Sequence, residues 1–590
     1  MEISGANLKR EFVIAGLVIG AGWMIIGARS FDHVAQGPAI PARVAAKFPS
    51  TWRFPAGGRA TFAAHGIVAS DDSLAAQVGV EIMKEGGNAV DAAVATGFAL
   101  AVTYPTAGNL GGGGYMVIRM ADGRTAALDY REVAPLAATR NMYVGADGKL
   151  TGESLVGPKA SGVPGAVAGM LEAQRKYGVL SRKNVLAPAV RLASNGFLVG
   201  KNLARSLTSD ARSIANYGGK AVFLPNGAPL TAGSRFVQPR LAHTLQLIAD
   251  SGATAFYRGS IADSIAAEMQ RDGGLITRAD LAKYQPIWRE PIRTTYHGYS
   301  LIAMPPSSSG GITITETLNI LEAYGPVSPF GSAERVHAVA SASQRAFIDR
   351  NAKLGDPAFV SVPLATLTSK SYAAQLAREI SRDSADRTPR VSEAVREEQE
   401  TTHYSVADRF GNAVATTTTL NDLYGSRVYV TGAGFFLNDE MDDFTSQPGT
   451  PNMFGLIQGE ANSIAPGKRM LSAMSPTIVL DPRGGLLLVT GAAGGPRIIS
   501  ATSQIILDVI DHRMSLADAM SAPRIHHQAL PDSIGLERGG FEPSVIAQLQ
   551  SMGHYVYELG SIASAVSVMR VKGGYEGMDD PRSGGAAVGY

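Results

Sequence analysis

The sequence predicts an α+β fold, and three observations carry that prediction. Its 590 residues are 45% hydrophobic and only 18% charged, a globular composition rather than a disordered one. That length allows three to five ordinary domains or one large mixed body. Through the first two-thirds, apolar residues recur mainly at helical spacing. Beyond residue 400 they fall in short strand-like runs broken by turn residues. Glycine is abundant at 67 residues, which suits close helix–sheet packing and many tight turns.

Composition also excludes. With 53 basic and 51 acidic residues the net charge is +2, and no Lys/Arg cluster marks a nucleic-acid surface. The chain has no cysteine, hence no disulfide, no Cys–zinc site and no thiol nucleophile. That absence is compatible with export.

At the N-terminus, Lys9 and Arg10 precede a run without charges from Phe12 to Ala28, 17 residues, about 25 Å as a helix. Residues 1–30 therefore read as a signal peptide or an uncleaved anchor. The expected location is extracytoplasmic or periplasmic, with residues 12–28 able to tether the chain to a membrane. Residues 31–57, rich in Ala, Pro and Arg, read as a linker. A helix begins at Ser73 with Leu74, Val78 and Ile82 on one stripe, and Gly86-Gly87 stops it. Asn88 caps the next helix, with Asp91 completing a capping box. Its small residues (AVDAAVATGFALAV) require a buried position.

Gly111 to Gly114 read as a loop pressed against neighbouring backbone rather than a phosphate cradle, because no Gly-Lys-Ser/Thr follows. The strand from Met116 turns at Asp122-Gly123 and returns as Thr125 to Tyr130. The middle, about 160 to 377, reads as helices and loops, with MPPSSSGG at Met304 as a turn cluster. Arg378 to Glu400 holds 12 charged residues in 23 and reads as an exposed, mobile connector. Two hairpins follow, one around Arg409-Phe-Gly-Asn and one around Asp481-Pro-Arg-Gly-Gly.

The connector ends at Thr401 and Thr402, where the first of these hairpins begins. A threonine hydroxyl needs a base to act as a nucleophile. Placed first in a chain, it can use its own α-amine, whose ordinary pKa is about 7.7–8.0, while the β-branch restricts χ1. His403 is an alternative base, since residues two apart on a strand share a face. A plain threonine at a loop-to-sheet junction is the third reading.

Beyond these local signals, AGNLGGGGYM, LDYRE, MPPSSSGG, TTHYSVAD, TLND, NDEMDDF, PGTPNMFG, LSAMSPTIV and TGAAGGPR occur in one order. From about Ala69 to Tyr590 the chain thereby resembles the γ-glutamyltranspeptidase (glutathione hydrolase) family. The resemblance implies a four-layer αββα sandwich of the N-terminal nucleophile hydrolase type. It implies self-cleavage between Glu400 and Thr401 into a large subunit, 58–400, and a small one, 401–590, that stay together as a heterodimer. It implies catalysis by Thr401, oriented by Thr419, with the N–H groups of Gly494 and Gly495 as the oxyanion hole. Substrate contacts would come from Arg131 and Ser472 on the α-carboxylate and from Asp443, Asn421 and Glu440 as further polar groups, Asp443 facing the α-amine. Glutathione and other γ-glutamyl compounds are the implied small-molecule donors, with water, amino acids or peptides as acceptors. No cofactor, metal or nucleic acid is implied.

The chain departs from the family pattern at Ala473, where a second serine is common. It departs again at Pro496, which replaces a serine, and at Phe454, where a tyrosine often sits in the lid segment Pro448 to Gly455. Two other readings remain: a glutaryl (cephalosporin) acylase-like amidase on the same scaffold, and an unprocessed, non-catalytic, membrane-anchored binding protein.

Overall fold

The computed structural model describes residues 43–388 and 401–590. The leader or anchor expected at 1–30, the start of the linker and the junction residue Glu400 lie outside the described residues. Among the described residues no helix is long and apolar enough to cross a membrane.

Two seven-stranded antiparallel sheets form the centre. In the first, the strand Thr402–Ala407 pairs with Ala413–Thr419 on one side and with Ile67–Ser70 on the other. Ala586–Gly589 closes one edge, and Gly113–Arg119, Thr125–Asp129 and Ile287–Arg289 complete the other. In the second, Leu486–Ala493 lies centrally between Ser564–Val571 and Thr477–Leu480.

The period of two along each strand explains the layers. Tyr404, Val406 and Val414 point outward into a core shared with the helices, while Ala407, Ala413 and Ala415 point inward at the other sheet. The inward layer is thin. Ser405 Oγ lies 3.2 and 3.1 Å from the carbonyl oxygens of Val489 and Val566 on the facing sheet. A methyl group on Gly491 would strike the imidazole of His403, so only glycine lets the sheets approach this closely there.

Helices cover both outer faces. The fully buried helix Ala89–Thr103 carries the expected capping box, Asn88 with Asp91. A Cβ at Gly97 would come 2.7 Å from the Tyr404 hydroxyl, which shows why this helix is built of small residues. Behind the second sheet lie Gly310–Tyr324, Ala333–Lys353 and Arg497–Ile510. The sandwich is thus αββα, as expected.

Two readings need correction. The middle is not only helix and loop, for Ile292–Tyr296 and Tyr299–Ala303 form a hairpin at the edge of the second sheet. Its turn is His297-Gly298, both with positive φ, 46° and 84°, as a two-residue hairpin requires. The connector is also less free than its charge suggests. Its described part, to residue 388, is tied down: Ala385 N–H donates to the Met552 carbonyl at 2.8 Å, and Thr388 Oγ1 to that of Ala529 at 2.9 Å. The glycine run behaves as read, because methyl groups at Gly111, Gly112 and Gly114 would collide with the carbonyl oxygens of Phe436, Thr419 and Thr417.

Candidate active site

Thr401 stands one residue before the paired strand, since register begins at Thr402 opposite Thr418. It is 6% exposed. Its hydroxyl lies 3.4 Å from Thr419 Oγ1, which accepts the Asn421 N–H at 2.8 Å. Asn421 adopts φ +86°, a left-handed conformation that asparagine tolerates better than most residues. Thr402 has a separate partner: its Oγ1 donates to Asp71 Oδ2 at 2.8 Å. The two threonines therefore serve different neighbours.

A small cavity opens at Thr401. Of the residues named from sequence, Arg131, Thr401, Thr419, Asn421, Asp443, Ser472 and Gly495 line it. Glu440 and Gly494 do not. Glu440 is fully buried and ion-paired to Arg131 at 2.5 Å. Gly494 precedes Gly495 in the turn that opens the helix Arg497–Ile510. Both glycines have positive φ, 129° and 55°. At a helix start the first N–H groups have no intrahelical acceptor, so this turn can present donors to a developing anion.

Arg131 is wholly buried and ion-paired with Asp443 as well as Glu440. The cation expected at the substrate's α-carboxylate and the anion expected at its α-amine are therefore in direct contact. Burial alone would lower the guanidinium's pKa, but Glu440 and Asp443 hold it above its ordinary value. Several acids compete for that one cation. Burial lifts Asp443 against the pull of Arg131, lifts Glu440 well above the carboxylate range and moves Glu132 up to about 8.

One wall residue escaped the sequence reading. Arg350 is 1% exposed and lines the cavity, and among the described residues it has no ion-pair partner. Its donors go to neutral acceptors instead: Nε to Ser309 Oγ at 3.0 Å and one terminal nitrogen to Gln458 Oε1 at 3.1 Å. Burial moves its pKa down to about 10. Ser309 Oγ in turn donates to the Ser472 carbonyl at 2.6 Å, which braces the Ser472 segment against Arg350. Phe454 closes the cavity over Gly495, where an added Cβ would meet its ring at 2.7 Å.

His403, the alternative base, points elsewhere. Its ring is buried between the sheets, 2.8 Å from Thr417 Oγ1 and 3.2 Å from Ser405 Oγ. Burial moves its pKa down to about 3, and it lines neither of the cavities that reach Thr401.

A four-layer αββα sandwich with a buried threonine at the head of a central strand, facing a glycine turn at a helix start, defines the N-terminal nucleophile hydrolase class. Within that class, the gamma-glutamyltranspeptidase family model matches residues 75–590, and the chain belongs to that family. It is 47% identical over 529 residues to the glutathione hydrolase proenzyme of Escherichia coli (strain K12), covering 88% of this chain and 91% of that one. Among solved structures, the cephalosporin acylase from Bacillus halodurans superposes with a TM-score of 0.80 at 28% identity, over 92% of this chain and 99% of that one. The gamma-glutamyltranspeptidase of Helicobacter pylori superposes with a TM-score of 0.53 at 40% identity, over 56% of this chain and 94% of that chain.

Proposed function

We propose that the chain cuts itself before Thr401 and then transfers γ-glutamyl groups through an ester on that residue. The carrying observation is the buried Arg131–Asp443 pair in the cavity that opens at Thr401. A γ-glutamyl donor ends in an α-carboxylate and an α-ammonium on one carbon. An adjacent cation and anion suit that zwitterion better than a glutaryl group, which has no amine and would leave Asp443 without a substrate partner.

In this mechanism the freed α-amine of Thr401 takes the proton from Oγ1, and Oγ1 attacks the γ-carbonyl. Thr419 orients the nucleophile. The N–H groups of Gly494 and Gly495 receive the negative oxygen, and donors so aimed contribute about 10²–10³ each in rate. Arg131 and Ser472 hold the carboxylate, and Asp443 and Asn421 the ammonium. Glu440 acts from behind, fixing the Arg131 fork. Amide cleavage releases an amine, and water or a second amine then opens the ester. Glutathione is the expected donor. The chain is exported, its large and small subunits remain paired, and residues 12–28 direct or anchor it.

The test is product release from γ-glutamyl-p-nitroanilide and from the matching glutaryl anilide. Wild type should strongly prefer the first, and Asp443→Asn should narrow the gap by weakening only the glutamyl donor. Equal use of both by wild type favours the acylase reading.

A further inference from the structure

The lid segment carries Phe454, which closes the small cavity over Gly495. A phenyl ring has no hydroxyl, so this side chain cannot fasten the lid by a hydrogen bond. The backbone does so instead. Gln528 Nε2 donates to the Phe454 carbonyl at 3.2 Å and to that of Leu530 at 3.1 Å.

Gln528 does not set its own orientation. Its Oε1 lies 2.9 Å from His526 Nε2, and His526 Nδ1 lies 2.8 Å from Ser500 Oγ. A carbonyl oxygen can only accept, so the Phe454 end fixes the direction of the whole relay. The Gln528 amide nitrogen donates to Phe454, its oxygen accepts from His526 Nε2–H, and His526 Nδ1 accepts from the Ser500 hydroxyl. Ser500, His526 and Gln528 are all buried. Burial moves the His526 pKa down to about 3, so the ring stays neutral and keeps this tautomer. Ser500 stands in the first turn of the helix Arg497–Ile510. The relay thus ties the lid to the helix that follows the glycine turn.

The two ends of the relay are held unequally. On the anchor side, Gln504 of the same helix grips Ile525 through both its N–H and its carbonyl, at 2.9 and 2.8 Å. Beyond Gln528, the Ala529 carbonyl accepts from Thr388 Oγ1, and Asp532 accepts from the Thr388 N–H and from Gln344 Nε2, both at 3.2 Å. The lid is more lightly held. Its tip at Pro448 and Gly449 is exposed. Asn452 Oδ1 folds the segment on itself, accepting from the N–H groups of Phe454 and Leu456 at 3.1 Å each, and Met453 N–H donates to Asp442 Oδ2 at 3.0 Å. The Gln528 bond therefore joins a lightly held loop to a firmly held one.

We propose that Gln528 is the latch of the lid, a positioning residue that keeps Phe454 over the small cavity and so retains the acyl half of the donor. What is retained rests on the γ-glutamyl reading. The latch itself does not.

The experiment uses the processed enzyme and Gln528→Met, which keeps the side-chain length and loses both polar contacts. Chymotrypsin under native conditions reads lid opening as cleavage after Phe454 in the small subunit, with the melting temperature measured alongside. When opening is fast relative to cutting, the cutting rate follows the open population. It should rise about threefold to tenfold, the size of one hydrogen bond. KM for γ-glutamyl-p-nitroanilide should rise by a similar factor with kcat within about twofold, because the latch does not touch the reacting atoms. His526→Phe, which leaves the Gln528 amide unoriented, should shift both readings the same way by less, and it carries the test if Gln528→Met does not fold. Unchanged cutting after Phe454 overturns the latch. Faster cutting with an unchanged KM overturns its hold on the donor, as does a fall in kcat at constant KM. If wild type releases no p-nitroaniline, the γ-glutamyl reading fails and the cutting rates alone decide the latch.

Discussion

At the scale of single residues, the pocket turns on how one guanidinium is shared. Arg131 is held by Glu440 and Asp443, and in the proposed mechanism a substrate carboxylate would have to share that guanidinium with them. Arg131→Lys keeps the charge and loses the fork. It should lower kcat/KM for a γ-glutamyl anilide by about 10- to 100-fold, the range of one or two charged hydrogen bonds, while self-cleavage, seen as two bands on a denaturing gel, continues. His403→Gln should leave most of the activity of matured protein, because the imidazole faces Gly491 and Thr417 rather than Thr401. A loss of a thousandfold or more with intact processing would return the role of base to that histidine. Motif order made Arg131, Asp443 and Thr401 legible in sequence. Arg350 was not legible, because an arginine inside a regular helix carries no mark of which face it occupies or whether a carboxylate meets it. The direct contact of Arg131 with Asp443 was equally hidden, since it joins segments 312 residues apart.

At the scale of elements, the strand-to-helix turn matters most. Gly494 sits at φ +129°, a conformation that L side chains rarely adopt. Gly494→Ala should rotate the peptide that aims the donors and cut kcat by about 10²-fold with little change in melting temperature. A kcat within about threefold of wild type would separate this turn from the chemistry. The helix Gly310–Tyr324 carries a different tension. Glu316 is fully buried, and burial together with Asp349 raises its pKa to about 10. The folded state therefore holds a proton that the unfolded chain releases above about 4.5, and this group's contribution to stability declines as pH rises from there to about 10. Glu316→Gln should gain in melting temperature over wild type progressively across that window, with a flat difference below it. Element boundaries were legible where caps and turns speak locally, as at Asn88 and Asp122-Gly123. The hairpin Ile292–Ala303 hid inside a region of helices, although His297-Gly298 between two β-branched and aromatic runs was its signal.

At the scale of the whole molecule, both sheets mix strands from before and after Thr401. In the first, Thr402–Ala407 lies beside Ile67–Ser70, and Ala413–Thr419 beside Gly113–Arg119. A cut before Thr401 therefore severs the chain without releasing either part. The two pieces should co-elute on gel filtration without denaturant and separate only when unfolded, and Thr401→Ala should give one uncut, inactive chain of similar melting temperature. The layer order was legible only through family resemblance, because local patterns do not say which strands become neighbours. The interleaving also dictates a history for the molecule. On the proposed self-cleavage, the nucleophile would be unveiled only after distant segments have met, so an active enzyme would always be one that has already folded. A gene broken at codon 401 would give two messages whose products must find each other before either owns a complete sheet. Such a pair should assemble poorly even though the finished heterodimer consists of the same two pieces.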